Sequence, residues 1–492
     1  MRIVVRFLAG LLVLAAILVA VVLYRTYTFK APAAAEVSGV TVAPAIAVDV
    51  PRAAEHLSLA VQIPTVRHQD PAEDVDDEWT RLHQLLRTAY PAAHAAMRVE
   101  ELASRTLVYT WPGSDPSLAP VVLMAHQDVV PVTPGTEGDW SHPPFAGEIA
   151  DGAVWGRGAV DDKGSLIGTF EAVEALAKAG FKPRRTVMIV SGGDEEVIGQ
   201  GARAAAAWMA AKGIKAEFVL DEGLVVLKDN PLTSGKLAVI GTAEKGYATL
   251  RVTANTPGGH SSAPPADGGG VVTLSKAVTA IAGDPFPMAF TGPGADMIKS
   301  LAPHAAFPVR MAVANQWLMK GLLVGQAAKS GPGAALLHTT IAPTMLKGSP
   351  KENVLPQDAT AWINYRIAPG DTSATVMARA KAAVGKLPVT LVWNAPPNEP
   401  SPVSSTSSWG WKVVAATAGA VAQAPVAPSL VTAGTDSRFL TPVAKDVYRF
   451  QPVEFGMKDV EMIHGTNEHM TLANVERMVR FYQRLVETAA SR

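Results

Sequence analysis

Three short apolar runs, each closing on acids or a histidine, constrain what this chain can fold into more than any other feature. Residues 121–125 lead into His126-Gln127-Asp128, and residues 186–190 into Ser191-Gly192-Gly193-Asp194-Glu195-Glu196. Residues 218–220 lead into Asp221-Glu222. Runs this short, bounded by polar turns, are the pattern of strands buried on both faces. Helical patterns lie between them: 165–179 stopped by Gly180, and an alanine-rich 202–212 stopped by Gly213. Upstream, Trp79, Leu82, Leu85 and Leu86 keep helical spacing, and 107–111 reads as another strand. The alternation predicts an α/β fold with a mostly parallel sheet flanked by helices. Ligands of such sheets bind beyond the carboxyl ends of the strands, which is where these polar residues fall.

A chain of 492 residues exceeds what one core organises, so two or more domains are expected. The pattern changes near residue 236. Strands are predicted over 236–255, 338–342, 359–367 and 389–393, with helices over 270–281 and 375–384. Residues 285–335 show little period. This suits an α+β lid domain, 245–395, inserted between catalytic segments 49–244 and 396–492. The second segment closes on an amphipathic helix carrying Leu472, Val475, Val479, Tyr482 and Val486.

Residues 1–29 read as a membrane anchor or a signal. The stretch 7–24 is uncharged and apolar, and as a helix it spans ~27 Å, about the hydrocarbon core of a bilayer. A cleaved signal is the alternative, since Ala33-Ala34-Ala35 supplies small residues nearby. An uncleaved transmembrane helix is favoured because the apolar run is long for a signal. Arg2 and Arg6 before it balance Arg25 and Lys30 after it, so flanking charge orients it weakly. The body is expected outside the cytoplasm, or secreted or periplasmic if the segment is removed. Residues 30–48, rich in Ala, Pro and Val, read as a linker.

With 43 basic and 44 acidic residues, the net charge of -1 gives no electrostatic reason for a nucleic-acid partner. No cysteine is present, so disulfides are excluded and a metal must be held by His, Asp and Glu. Period-two alternation puts His126 and Asp128 on one face. The imidazole can bind a metal through one nitrogen while Asp128 accepts from the other. Alone, a His-x-Asp after a strand is an ordinary polar turn. Acids in 156–164, three adjacent acids at 194–196, Asp221-Glu222 and His464 change that, because such a cluster repels itself unless a cation compensates. A His and carboxylate set without thiolates points to zinc or a similar divalent ion at a catalytic site.

The series HQD, GRGAVDDKG, GGDEE, LDEG, GGHSSAPP, ENVLP, GTDSR and IHG, in this order, resembles the dinuclear zinc exopeptidase family. That family includes aminoacylase, succinyl-diaminopimelate desuccinylase and glutamate carboxypeptidase. Within it the chain is most similar to the branch of carboxypeptidase S and N-fatty-acyl-amino-acid hydrolases. The likeness covers about residues 50 to 490. It implies two zinc ions held by His126, Asp161 as the bridge, Glu196, His464 and an acid of LDEG, with Asp221 preferred over Glu222. It further implies that Asp128 orients His126, that Glu195 is the general base, and that His260 of the lid stabilises the oxyanion, often across a homodimer. Arg438 and Asn353 are implied to bind the substrate, with Arg366 a weaker candidate for its carboxylate. The expected reaction is cleavage of the amide bond of a C-terminal amino acid in short peptides, or alternatively hydrolysis or synthesis of N-acyl amino acids. A catalytically inactive metal-binding protein is the remote alternative. Lys163 and Asp162 are expected to pair and cap, and the remaining histidines to be structural.

Overall fold

The computed structural model describes residues 2–30, 39–197, 199–230, 235–456 and 458–491. Part of the expected linker, 31–38, lies outside them, and with it Ala33-Ala34-Ala35. The large sheet contains β1 (Arg98–Glu101), β2 (Leu107–Trp111), β3 (Val121–His126), β4 (Val187–Gly192), β5 (Ala216–Asn230) and β6 (Gly235–Glu244). A smaller sheet follows with β7 (Gly246–Asn255), β8 (Thr340–Lys347), β9 (Asp358–Ile367) and β10 (Val389–Trp393). The chain then returns to the large sheet with β11 (Val426–Val431) and β12 (Ala444–Phe455).

The large sheet runs β1-β2-β4-β3-β5-β12-β6-β11. Its centre, from β4 through β3 and β5 to β12, is parallel, and antiparallel pairs flank that centre. Every residue of β3 and β4 is buried, and alternation sorts them cleanly. Val121, Leu123, Ala125, Val187 and Ile189 join the core with helices Lys163–Lys178 and Leu472–Ala490. Val122, Met124, Met188 and Val190 join the opposite core, beneath Ala202, Ala205 and Met209 of helix Gln200–Ala211. Burial on both faces is why the strands read as unbroken apolar runs.

The small sheet, ordered β8-β9-β7-β10, is antiparallel throughout. Helices Gly269–Ala282 and Ser373–Val384 cover one face through Leu274, Ala277, Ile281, Val376 and Ala380. The other face is open, so β7 alternates between buried and exposed positions.

Two regions differ from the sequence expectation. Residues 285–335 are helical, with Gly292–Leu301, Phe307–Ala314, Gln316–Ala327 and Gly331–Ala335. Frequent Gly and Pro breaks keep each helix too short to display a period. This helical group does not join the lid core: Met297 and Leu301 pack on Leu237, Val239 and Ala427 of the large sheet. The end of the expected linker is also docked, with Ala43 N–H donating to Thr488 Oγ1 at 2.9 Å and Arg484 Nε to Ala43 O at 2.7 Å.

The amino-terminal helix, Arg2–Tyr27, contains an 18-residue stretch with a mean hydropathy of 2.9 and is long and apolar enough to cross a membrane. Only Val22 and Thr26 of it are buried, against the helical group. There Asn315 Nδ2 donates to Val22 O at 3.2 Å and to Thr26 Oγ1 at 3.1 Å, and Arg25 Nε donates to Ala314 O at 3.3 Å.

Candidate metal centre

The centre forms where β3 and β4 end, beside a bulge inside β5 rather than the strand end expected for Asp221-Glu222, and where the 156–164 loop meets the 464–468 turn. His126 Nδ1–H donates to the Asp128 carbonyl at 2.9 Å, leaving Nε2 to face Asp161 Oδ1 at 2.9 Å. The other oxygen of Asp161, Oδ2, lies 3.1 Å from His464 Nε2. His464 Nε2 is also 3.1 Å from Glu196 Oε2, while Glu196 Oε1 is buried without a partner. One carboxylate whose two oxygens address two imidazoles has the disposition of a bridge between two cations. The open lone pairs of Glu196 fit the same occupancy. His464 takes a left-handed backbone, φ 60°, an uncommon state for a residue other than glycine and one that functional turns often hold.

Asp128 does more than was expected of it. Its carboxylate is 3.5 Å from His126 Nδ1, but its hydrogen bonds go to the N–H groups of Glu195, at 3.1 Å, and Glu196, at 2.9 Å. One buried acid thereby couples the ends of β3 and β4.

The two acids of LDEG, Asp221 and Glu222, are held differently. Asp221 Oδ1 accepts from the Glu222 N–H at 3.0 Å and Oδ2 from the Ser437 N–H at 2.9 Å, so its carboxylate is turned from the histidines. Glu222 Oε1 instead lies 4.0 Å from His126 Nε2. The cause is a bulge. Asp221 pairs with Arg449, whereas the next pair is Leu224 with Phe450, so two residues of β5 are extruded and Glu222 is re-aimed. Gly223 permits this with φ 137°, and a Cβ there would lie 2.8 Å from Arg449 Cβ.

The electrostatics are those of acids crowded without counter-charge. Burial, then the charges of Asp436, Glu196 and Asp128, hold Glu195 well above the usual carboxylate range. Burial together with Asp161 and Asp162 does the same to Glu222, and burial with Asp161 raises Glu196. Burial opposes a charged His126, yet Asp128 and Asp161 hold it well above its ordinary value. His464, bonded to Asp161 and Glu196, is raised to about 10. Cations would relieve this crowding.

Several supporting groups carried no assignment in the sequence. Glu468 Oε1 accepts from the N–H groups of Val160, at 2.9 Å, and Asp161, at 3.1 Å, while Oε2 pairs with buried Arg157 at 2.8 Å. Gln451 Nε2 donates to Asp162 Oδ1 at 2.9 Å, and Asp162 Oδ2 accepts from the His126 N–H at 3.3 Å. Asp162 is therefore a bonded strut and makes no side-chain cap. Lys163 forms no ion pair among the described residues: its Nζ donates to Ala60 O at 3.0 Å and to Ile63 O, and burial lowers its pKa to about 7. His83 is structural, buried with Nε2–H donating to Gln127 Oε1 at 2.7 Å. His142 and His469 sandwich Trp155, outside the centre.

The lid residues are not gathered in. His260 is exposed and pairs with Val354 across a short ladder, and its Nδ1 contacts Ser262. Asn353 is exposed beside it, its carbonyl accepting from the Ser261 N–H at 3.1 Å. Arg438 stands nearer the large sheet. Its loop is pinned by Glu244, whose Oε1 accepts from Thr435 Oγ1 at 2.6 Å and from buried Arg449 Nε at 2.7 Å. Arg438 lies over Phe439 with a buried Nε lacking a partner, and a Cβ at Gly434 would come 2.4 Å from its Nη1. Burial, then opposition from the charge of Arg438, lowers the pKa of Arg366. Among the described residues neither guanidinium has a carboxylate partner.

Residues 122–488 match the sequence model of peptidase family M20/M25/M40. The N-fatty-acyl-amino acid synthase/hydrolase PM20D1 of Xenopus tropicalis is 35% identical, over 98% of this chain and 94% of that protein. Carboxypeptidase S of Saccharomyces cerevisiae is 31% identical, over 85% of this chain and 80% of that protein. The fold is that of the M20 family metallo-carboxypeptidase Sso-CP2 from Sulfolobus solfataricus, with a TM-score of 0.65 and 16% identity, covering 89% of this chain and 99% of that one.

Proposed function

The chain belongs to peptidase family M20/M25/M40 and is a metal-dependent hydrolase of amide bonds; from that premise we propose that it releases an amino acid with a free carboxylate, using two zinc ions and Glu195. The observation that carries this reading is the Asp161 carboxylate, its two oxygens facing His126 and His464. His126, Asp161, Glu196, His464 and Glu222 would hold the ions. When bound, such a pair lowers the pKa of a water and polarises the scissile carbonyl. Glu195, the neighbour of Glu196 at the end of β4, is the base in this reading. It accepts the water's proton and hands it to the leaving nitrogen. Asp128, bonded to the Glu195 and Glu196 amides, fixes that base relative to His126.

Arg438 is the group for the substrate's carboxylate, because a half-buried guanidinium with an unpartnered Nε and no ion pair among the described residues favours a bidentate anion. Arg366 adds to the same positive field, and His260 and Asn353 reach the reacting carbonyl from a lid, in a homodimer from the second copy. The exposed edge strand β8, with Met345 59% and Leu346 71% accessible, supports such a dimer. Two acyl sides are open: a peptide, as in carboxypeptidase S, and a fatty acyl chain. The 35% identity to PM20D1 over nearly the whole chain favours the second. We assign the amino-terminal helix as a retained anchor with the body outside the cytoplasm, since Val22 and Thr26 are packed and bonded to that body.

The test is a zinc-loaded assay on matched dipeptides, N-acyl amino acids and their C-terminal carboxamides. Free acids should be turned over on the order of 100-fold faster than carboxamides, because the site's cation is otherwise left unpaired. Equal rates, or turnover that survives chelation, would overturn the assignment.

A further inference from the structure

The amino-terminal helix is not the only apolar surface on this side of the molecule. Helix Gln316–Ala327 starts at Asn315, the residue whose amide bonds Val22 O and Thr26 Oγ1. Its residues 317, 318, 321, 322 and 325 fall on one stripe, and all five are exposed. They are Trp, Leu, Gly, Leu and Gly, with Trp317 57%, Leu318 49% and Leu322 66% accessible. Phe307, on the preceding helix, is 38% accessible and packs on Tyr27. A stripe without charge that meets water is unusual on a soluble body.

The bonds to Asn315 fix where this stripe sits. Val22 is two residues inside the end of the uncharged run at Tyr24, so the Asn315 contact lies ~3 Å within that apolar length. Charged groups gather on the outer side: Arg25 bonds Ala314 O, and Arg310 lies over the Tyr27 ring. The stripe therefore begins at the depth where hydrocarbon gives way to headgroups, the level that Trp residues favour.

We propose that helix Gln316–Ala327 is an interfacial membrane element, laying Trp317, Leu318 and Leu322 into the lipid leaflet from which the anchor emerges. The occupant of this apolar face is a phospholipid surface, chosen by its continuity with the spanning helix. The anchor and the stripe then grip the bilayer at two points and hold the hydrolase in one orientation on it. The inference rests on the anchor assignment, and its test separates the two.

Because the chain has no cysteine, single Cys variants can be spin-labelled without background. Leu318→Cys and Leu322→Cys report on the stripe, Leu14→Cys on the span, and Val403→Cys, 54% accessible on the large domain, on an aqueous site. Full-length protein in phosphatidylcholine vesicles is probed for collisions with oxygen, which concentrates in lipid, and with a nickel chelate, which stays in water. The expected result is an oxygen-to-nickel ratio several-fold above Val403→Cys at 318 and 322, and deeper still at Leu14→Cys. A deep Leu14→Cys with 318 and 322 resembling Val403→Cys overturns the interfacial element while the anchor stands. Shielding of 318 and 322 from both reagents means that protein covers the face, and overturns it too. An aqueous Leu14→Cys removes the anchor and the inference together.

Discussion

The metal corner and the His260 loop are opposite ways of holding a reactive side chain. In the corner, the supporting acids are buried and fastened: Asp128 to two amides, Glu468 to two more, Asp162 to Gln451 and the His126 amide. The His260 loop is exposed, and its contacts are with its own neighbours and the 353–355 strand. A preorganised corner can stabilise charge without rearranging, whereas a group on an open loop acts only when something brings it to the site. The corner's bonds tie together segments far apart in one chain; the loop stands apart from it.

The sharpest attack on this contrast is Glu195→Gln. It should lower kcat by about 10²- to 10⁴-fold, the span of general-base catalysis, with zinc content by elemental analysis unchanged. Full activity in that variant would mean the corner is not where the reaction occurs. His260→Ala should cost about 10²- to 10³-fold in kcat, as for loss of one oxyanion donor, with a nearly unaltered melting temperature because its side chain bonds Ser262 of the same exposed loop. Mixing that variant with Glu195→Gln should restore part of the activity if the residue works across copies. Glu222→Gln should weaken zinc binding more than Asp221→Asn, whose effect belongs with the ~10- to 100-fold losses of groups around a site. The reverse order, by competition with a chromophoric chelator, would return the ligand to Asp221.

The mildest test is thermal. Glu195, Glu196, Glu222 and Asp162 have folded pKa values raised above their unfolded ones, chiefly by burial. A raised acid contributes stability below about pH 4 and loses it as pH climbs through the folded value. His126 and His464, also raised, act in the same direction, and Asp161, lowered by them, opposes. Ion-free protein should therefore melt lower near pH 8 than near pH 5.5, and zinc should abolish or reverse that slope in scanning calorimetry. A slope that zinc leaves alone would mean the crowded acids are not its site.

What was legible in the sequence follows the same divide. Val121–His126 and Val187–Gly192 were readable because strands buried on two faces leave an unbroken apolar run, with chemistry at its end. The different settings of Asp221 and Glu222 were not, since they depend on a bulge set by pairing with a strand more than 200 residues later. Glu468, Gln451 and Glu244 were silent for a similar reason: their partners are distant in sequence. The helices of 285–335 were missed because short Gly- and Pro-punctuated segments carry no measurable period.

The bond from Glu468 to the amides of Val160 and Asp161 also sets a clock. These partners are separated by 308 positions, and His464 stands four residues before Glu468. A chain emerging from the ribosome, or threading through a membrane pore, carries His126, Asp161, Glu196 and Glu222 long before it carries the closing imidazole and its clasp. The whole lid must be made and folded aside in between. Completing the centre thus becomes one of the final steps of folding, and any ion it takes is drawn from the compartment where the carboxyl terminus docks.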